Sequence, residues 1–415
     1  MNIQTASAVI PDDRIACRDC GLVQRVPHLP RRHVVECRQC GRVLVSRTVG
    51  RVDLPLALSS TALLLLVPAV TAPFLSVSAV GAARDSWILT GIRTFAEEGF
   101  PELGLLVLMC AVILPLTFMA ALVWVLGSIH FGRTDNPLLG RVYRWLGRIR
   151  PWMMLEVFLV GAFVAYTRIE TVGSVEIDTG GWCFLAATFI SLLTLTQLDD
   201  HTVWDALAVR GVAGSDRAPS IACTACDLII PASPRVHFCP RCQARLHVRK
   251  PDSLKRTAAL LVAGYLLYIP ANLMPVMSLN NVGGLEHNTI MSGVFELIDN
   301  NLWPLALIVF VASIVLPLMK LLGLTWMLIA IRLRSARLLR ARTRFYRTIE
   351  VIGRWSNIDV FMGSVLVALL QFGALSTVRA EPGLVAFAAV VVITMIATET
   401  FDARLMWDAA AESNA

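Results

Sequence analysis

Eight long apolar runs alternate with polar stretches along the chain, at roughly 54–78, 103–128, 153–170, 181–198, 256–279, 304–329, 357–378 and 383–400. A helix rises 1.5 Å per residue, so about 20 apolar residues cross a bilayer core of about 30 Å. The pattern predicts eight transmembrane helices, the third and fourth short and interrupted by glycines. Two amphipathic pieces, Thr90–Glu98 and Gly293–Asn301, lie between runs and read as helices at the outer interface.

The pattern is doubled. Ile88-Leu89-Thr90-Gly91 matches Ile290-Met291-Ser292-Gly293, and Val112-Ile113-Leu114-Pro115 matches Ile314-Val315-Leu316-Pro317. Trp152-Met153-Met154-Leu155-Glu156-Val157-Phe158 matches Trp355-Ser356-Asn357-Ile358-Asp359-Val360-Phe361, and Asp199 with Trp204-Asp205 matches Asp402 with Trp407-Asp408. The offset holds at 202 to 203, which reads as duplication. Four spans per half, an even number, make both copies point the same way, related by an axis along the membrane normal. The expected division is 1–53, 54–200 as a first four-helix unit, 201–255, 256–402 as a second unit, and a tail over 403–415.

Composition agrees: 56% of the residues are hydrophobic and 16% are charged. The net charge of +7 suggests nucleic acid until its distribution is considered. With the polar N-terminus inside, 31 of the 37 Lys and Arg fall on the cytoplasmic side, against Arg84, Arg93, Arg168 and Arg379 opposite. This asymmetry sets the orientation, with both termini cytoplasmic, and explains the charge without nucleic acid. The arginines between Arg332 and Arg347 read as a basic helix on lipid headgroups. No Gly-Lys dipeptide occurs, so there is no P-loop for a nucleotide. Without HExxH, G-x-S-x-G or C-x-x-C-H, nothing marks an enzyme.

Eight of the ten cysteines form two quartets, Cys17, Cys20, Cys37 and Cys40, then Cys223, Cys226, Cys239 and Cys242. Paired C-x-x-C hairpins in a reducing compartment predict a tetrahedral metal site in each segment, closed and therefore structural. Zinc suits four thiolates; iron in a rubredoxin-like site uses the same ligands. Glycine follows each second cysteine in the first copy (Gly21, Gly41), whereas Asp227 and Gln243 stand there in the second. His28, His33, His237 and His247 lie nearby without being needed as ligands.

Inside the spans the informative residue is Lys320, whose counterpart is Phe118. A mid-bilayer lysine costs about 3 kcal/mol on insertion scales, so it is expected to face the bundle interior, near Glu156 or Asp359. Ser364, Thr394 and Thr398 would complete a polar track. The alternative is that Lys320 snorkels to the interface and the two acids cap helices. Pro115 and Pro317 break helix hydrogen bonding at equivalent points, as hinges or as tolerated kinks, and Pro68, Pro73, Pro270 and Pro275 do so in spans one and five.

Twin cysteine quartets, each before four spans with Leu-Pro and Trp-x-x-x-(Glu/Asp)-Val-Phe motifs, resemble the paraquat-inducible protein A family over about residues 15–408. The resemblance implies an inner-membrane subunit of Gram-negative bacteria with two cytoplasmic zinc ribbons, the eight cysteines holding one zinc each per quartet. It implies a periplasmic MCE-domain partner forming a hydrophobic tunnel, and phospholipid or another lipophilic molecule as cargo. Lys320, Glu156 and Asp359 fall where the family has polar membrane residues suited to transport. Two rivals are a membrane redox protein or sensor built on the cysteine sites, and a non-transporting anchor for a periplasmic partner.

Overall fold

The computed structural model describes residues 14–26, 34–46, 52–79, 82–169, 174–207, 220–231, 237–281, 284–369 and 376–413. The chain opens with two antiparallel hairpins, β1 (Arg14–Ala16) with β2 (Val23–Arg25), and β3 (Val34–Glu36) with β4 (Val43–Ser46). Helix α1 (Asp53–Thr71) leads to the hairpin β5 (Leu75–Ala79) and β6 (Ala82–Ser86) and to the amphipathic α2 (Ile88–Glu97). Then α3 (Pro101–Val107), a π-helical turn over Leu108–Ile113 and α4 (Leu114–His130) make one continuous helix. Amphipathic α5 (Pro137–Ile149) and a 3-10 turn precede α6 (Leu155–Ile169); β7 (Ser174–Ile177) joins β5 as a third strand, before α7 (Thr179–Gln197) and α8 (Asp200–Ala206).

The same order then appears again. A hairpin of β8 (Ser220–Ala222) and β9 (Ile229–Pro231) is followed by α9 (Ser253–Leu273), β10 (Met277–Asn281), β11 (Gly284–Asn288) and α10 (Ile290–Asp299). Next come α11 (Trp303–Phe310), a π-helical turn over Val311–Val315, α12 (Leu316–Arg332) and α13 (Leu339–Ile352). A 3-10 turn over Gly353–Asn357 enters α14 (Ile358–Leu369); β12 (Ser376–Ala380) pairs with β10, and α15 (Pro382–Thr400) and α16 (Arg404–Ser413) close the chain.

Among the described residues seven helices are long and apolar enough to cross a membrane. They are Asp53–Thr71, Pro101–His130, Pro137–Ile169, Thr179–Gln197, Ser253–Leu273, Trp303–Arg332 and Pro382–Thr400. The run expected at 357–378 departs from the set of eight: its described helix, α14, has 12 residues, and 370–375 lie outside the description. Every residue of α14 is buried. A helix wrapped in protein is freed from the length that lipid imposes. It packs on α6, where Gly161 lies against the α14 backbone and Phe158 meets Phe361 at 5.6 Å between ring centroids.

The first and fifth runs also end early as helices, at Thr71 and Leu273. Pro73 and Pro275 follow two residues later, and the apolar sequence beyond them alternates, Leu75-Ser-Val77-Ser and Met277-Ser-Leu279-Asn. Alternation has the period of a strand, so these residues form β5 and β10, with Leu75 and Val77 buried. Pro115 and Pro317 sit just after the π turns. A proline lacks the N–H that would reach the carbonyl four residues back, and its ring crowds that carbonyl; a wider turn relieves the clash. The carbonyls so released are those of Ala111 and Ser313, and Tyr268 donates its hydroxyl hydrogen to the next one, Ile314, at 3.4 Å.

Candidate functional site

Each cysteine quartet closes into a buried cluster whose four Sγ atoms lie within 4.8 Å of one another. In the first, Cys17 and Cys40 stand 3.4 Å apart and Cys20 and Cys37 3.5 Å; in the second, Cys223 and Cys242 are at 3.6 Å and Cys226 and Cys239 at 3.5 Å. A tetrahedral ion with metal–sulfur bonds of about 2.3 Å would set edges of about 3.8 Å, so the donor set fits a metal with little adjustment. The knuckle turns explain the residues after the cysteines. Gly21 and Gly41 have φ of 77° and 69°, and Asp227 and Gln243 adopt the same left-handed backbone at 57° and 56°. His28 and His33 lie outside the described residues.

Where the second ribbon gives up glycine, it gains a docking side chain. Asp227 accepts two hydrogen bonds from Arg18 of the first ribbon, at 2.8 and 2.6 Å, and Gln243 accepts from Arg141 of α5. Left-handed backbone costs a residue with a Cβ about 1 kcal/mol, and a half-exposed pair returns about 0.5–1 kcal/mol. Asp227→Gly is therefore expected to lie close to wild type in thermal stability, since it trades the pair for relief of strain. Asp227→Ala loses the pair and keeps the strain, so its unfolding midpoint should fall below both. The order of the three midpoints checks the account, and an alanine variant as stable as the glycine one would refute it.

The basic stretch near Arg347 turns inward rather than onto lipid headgroups. Arg347 of α13 donates to Asp19, to the Cys40 carbonyl and to Cys40 Sγ, and Arg340 donates to Gln39 O at 2.8 Å. Arg342 is 2% exposed, bonded to Ser335 and set over the Trp326 ring at 5.8 Å. A cluster of thiolates is a concentrated negative charge, which is why the arginines go there. Lys250 Nζ donates to carbonyls at the C-terminal end of α15, Glu399 O at 2.6 Å and the capping Phe401 O at 2.9 Å. Burial lowers the pKa of Lys250 below the ordinary lysine value, partly countered by Asp402.

The polar residues of the membrane interior divide into three places. Lys320 is 1% exposed and does not snorkel: its Nζ points to Thr394 Oγ1 at 3.4 Å, and its stem lies on Gly353, where an added Cβ would come within 2.4 Å of Cε. Thr398, one turn along α15, returns its hydroxyl to Thr394 O at 2.8 Å. Glu156 is elsewhere, 3.0 Å from Arg354. Ser364 is taken up in packing, since α2 rides on its carbonyl through Gly91. Among the described residues Lys320 pairs with neither acid.

Asp359 is buried, and neither carboxylate oxygen closes a hydrogen bond. Ser313 from the π turn lies beside it, and the Asn357 amide, two residues before Asp359, gives its nitrogen to Met154 Sδ at 2.9 Å while its oxygen is buried without a partner. A buried carboxylate whose oxygens close no hydrogen bond in the geometry is costly, and it marks a place held for something else.

That place opens outward. A cavity of about 290 Å³ lies between α10, α11, α14 and strand β10, lined by Asp359 together with Arg168, Glu296 and Asn300. Its walls are mostly apolar, with Met277, Leu297, Val309, Met362 and Leu366 among them. Asp359 and Leu366 are seven residues apart on α14, so the cavity runs about 10 Å along that helix. Sequence reading missed Arg168, which lines this cavity, and the buried Ser313 and Asn357, which do not line it. The signal was available: Ser313 and Asn357 replace Ala111 and Met154 of the first half, as Lys320 replaces Phe118.

A family model described as paraquat-inducible protein A matches the chain twice, over residues 52–208 and 254–411. Similar curated proteins include the intermembrane transport protein PqiA of Escherichia coli K12, 29% identical over 96% of each chain. The lipophilic envelope-spanning tunnel protein A of the same strain is 28% identical over 96% of this chain and 92% of its own. A probable intermembrane transport protein of Haemophilus influenzae is 26% identical over 95% of each. No solved structure gives a significant match.

Proposed function

The chain belongs to the paraquat-inducible protein A family, and from that premise we propose that it is the inner-membrane subunit of an intermembrane lipid transport system. It takes a phospholipid or similar lipophilic molecule from the inner membrane, or delivers one to it, and exchanges it with a periplasmic MCE-domain tunnel protein. The observation that carries this reading is the apolar cavity lined by the sheet of β10, β11 and β12 and by the buried Asp359. Apolar walls suit acyl chains, and a buried acid without a partner suits a group that gains and loses a proton as cargo enters and leaves. The relatives' names, intermembrane transport protein and lipophilic envelope-spanning tunnel protein, support the same reading.

In this proposal the chain spans the membrane eight times, as two tandem four-helix units, with α14 as the core of the short seventh span. The doubled family match and the recurring element order support the duplication. Both quartets hold structural zinc on the cytoplasmic side, and both termini are cytoplasmic. Lys320 with Thr394, and Asp359 with Ser313, form the polar sites through which a proton gradient would drive exchange.

The test uses the full chain in vesicles with a fluorescent phospholipid, together with an MCE-domain protein from the same cell envelope. Transfer of label onto the tunnel protein is expected with the wild type. It should be lost in Asn300→Trp, which places a large ring at the exposed mouth of the cavity without touching the core. Transfer unchanged by the tryptophan would show that cargo does not use this cavity.

A further inference from the structure

The two halves of the molecule seat their amphipathic helices differently. In the first, α2 rests directly on α14: a Cβ added at Gly91 would strike the backbone oxygen of Ser364 and lie 2.6 Å from its Oγ. Glu98, just past the end of α2, accepts a hydrogen bond from Ala380 N of β12 at 3.0 Å, a second tie to the other half. In the second half the matching helix is α10, where Gly293 is the counterpart of Gly91. A Cβ added there meets only Arg168 Nη2 within 4 Å, at 3.3 Å, the far end of a flexible side chain. Asn300, the counterpart of Glu98, turns back onto its own helix and donates to Glu296 O at 2.8 Å.

The backbone seat that α2 has is thus missing under Gly293. Arg168, in the last turn of α6, fills the space: its Nη2 donates to Gly293 O at 3.0 Å, and its Nη1 stands 3.7 Å from Glu296 Oε2. Ile290 and Leu297, on the buried side of α10, form a wall of the cavity that Arg168 and Asp359 also line. A helix bridged to its neighbour by a long side chain moves more easily than one locked by backbone contact. Because both halves share one order of elements, the tighter seat of α2 is a template for a second position of α10.

We infer that α10 is a lid with two positions. In the raised position, that of the present structure, Arg168 spaces it from α6 and the cavity lies beneath it. In the seated position Gly293 rests on α6 as Gly91 rests on α14, Arg168 swings out of the gap, and the cavity closes. That seating expels cargo rests on the reading that the cavity takes lipid; the two positions themselves do not.

Gly293→Ala separates the two positions. In the raised one the new methyl meets a guanidinium that can shift, and alanine is the better helix former, so the variant should melt no lower than the wild type. In the seated one the same methyl would strike backbone, so seating is blocked. Gly91→Ala, whose methyl strikes backbone in the structure as it stands, should melt clearly lower.

The experiment uses the full chain in phospholipid vesicles. Spin labels are attached through ketone-bearing amino acids in place of Phe163 and Met291, exposed residues of α6 and α10, which leaves the native cysteines alone. The wild type is expected to give two label distances and Gly293→Ala only the longer. Its transfer of fluorescent phospholipid to the proposed MCE-domain partner should fall about tenfold, the population shift of a modest overpacking penalty. A single distance in the wild type, or an unchanged pair of distances in Gly293→Ala, overturns the lid. So does a Gly293→Ala protein that melts as low as Gly91→Ala, since α10 would then already be seated. Unchanged transfer with the shorter distance lost overturns its part in exchange. Two distances in a wild type that transfers no lipid would keep the lid and remove the lipid reading.

Discussion

Lys320→Met is expected to yield a protein at least as heat-stable as the wild type that transfers lipid on the order of a hundredfold more slowly, the scale of losing a proton-transferring group. The stability half of this expectation follows from the surroundings of the ammonium. It is 1% exposed and has no carboxylate partner among the described residues; its hydrogen bond to Thr394 Oγ1 is long, at 3.4 Å. The Thr394 hydroxyl already gives its own hydrogen to Val391 O at 2.9 Å. A charge buried on such terms costs more than it returns, about 2.5–3.5 kcal/mol on insertion scales. Methionine keeps the unbranched stem and drops the charge, which commonly stabilises a buried site by about 1–4 kcal/mol.

The transport half follows from what maintains so expensive a group. Gly353 makes room for the lysine stem, and it replaces Arg150 of the first half, while Lys320 replaces Phe118. A bulky ring and a half-buried cation in one half become a cation and a glycine in the other, a paired exchange that a merely tolerated lysine would not require. Gly353→Ala, which crowds Cε, should slow transfer with the lysine still present. Thermal unfolding followed by tryptophan fluorescence, alongside transfer to the proposed MCE-domain partner, separates the possibilities. A methionine variant that transfers at the wild-type rate would remove Lys320 from the mechanism, and one that melts well below the wild type would overturn the account of its burial.

The long helices were legible because lipid demands a composition that leaves no ambiguity, and the cysteine quartets because their spacing has few other uses. The small three-stranded sheets were hidden inside those same apolar runs. Leu75-Ser-Val77-Ser and Met277-Ser-Leu279-Asn carry strand alternation, but their position at the ends of spans makes them read as helix. Length misled in the other direction for α14, since a helix buried on all sides need not match the bilayer. Lys320 could be singled out alone because lysine is conspicuous in a span. Ser313 and Asn357 are ordinary there, and become informative only when compared with Ala111 and Met154. The inward turn of Arg340 and Arg347 was not legible at all: periodicity describes a basic helix, and only the position of the first ribbon tells which way it faces.

The two ribbons are expected to fail differently when they lose metal. The sulfurs of the second are part of the main hydrophobic core, continuous with Leu139, Tyr143 and Trp204. Helix α5 lies so close that a Cβ at Gly140 would stand 2.3 Å from Arg241 O. Those of the first form a cluster of their own, against which Leu44 and Trp407 are the partly buried hydrophobics packed among the described residues. Neither hairpin set buries enough to fold unaided, and in zinc-finger peptides metal binding supplies about 10–16 kcal/mol of apparent folding free energy. Cys239→Ser should therefore lower the unfolding midpoint of the whole chain, because the core of the first half loses its floor. Cys20→Ser should release one equivalent of metal, open residues around Arg25 and Arg38 to trypsin, and move the main transition by only a few degrees, roughly the effect of about 1 kcal/mol in a chain this large. Metal content, limited proteolysis and calorimetry on the two variants give the comparison. If Cys20→Ser unfolds the membrane helices as completely as Cys239→Ser, the contacts of Arg347 with Asp19 and Cys40 bind the first ribbon into the core more tightly than its packing implies, and the two metals brace the bundle equally.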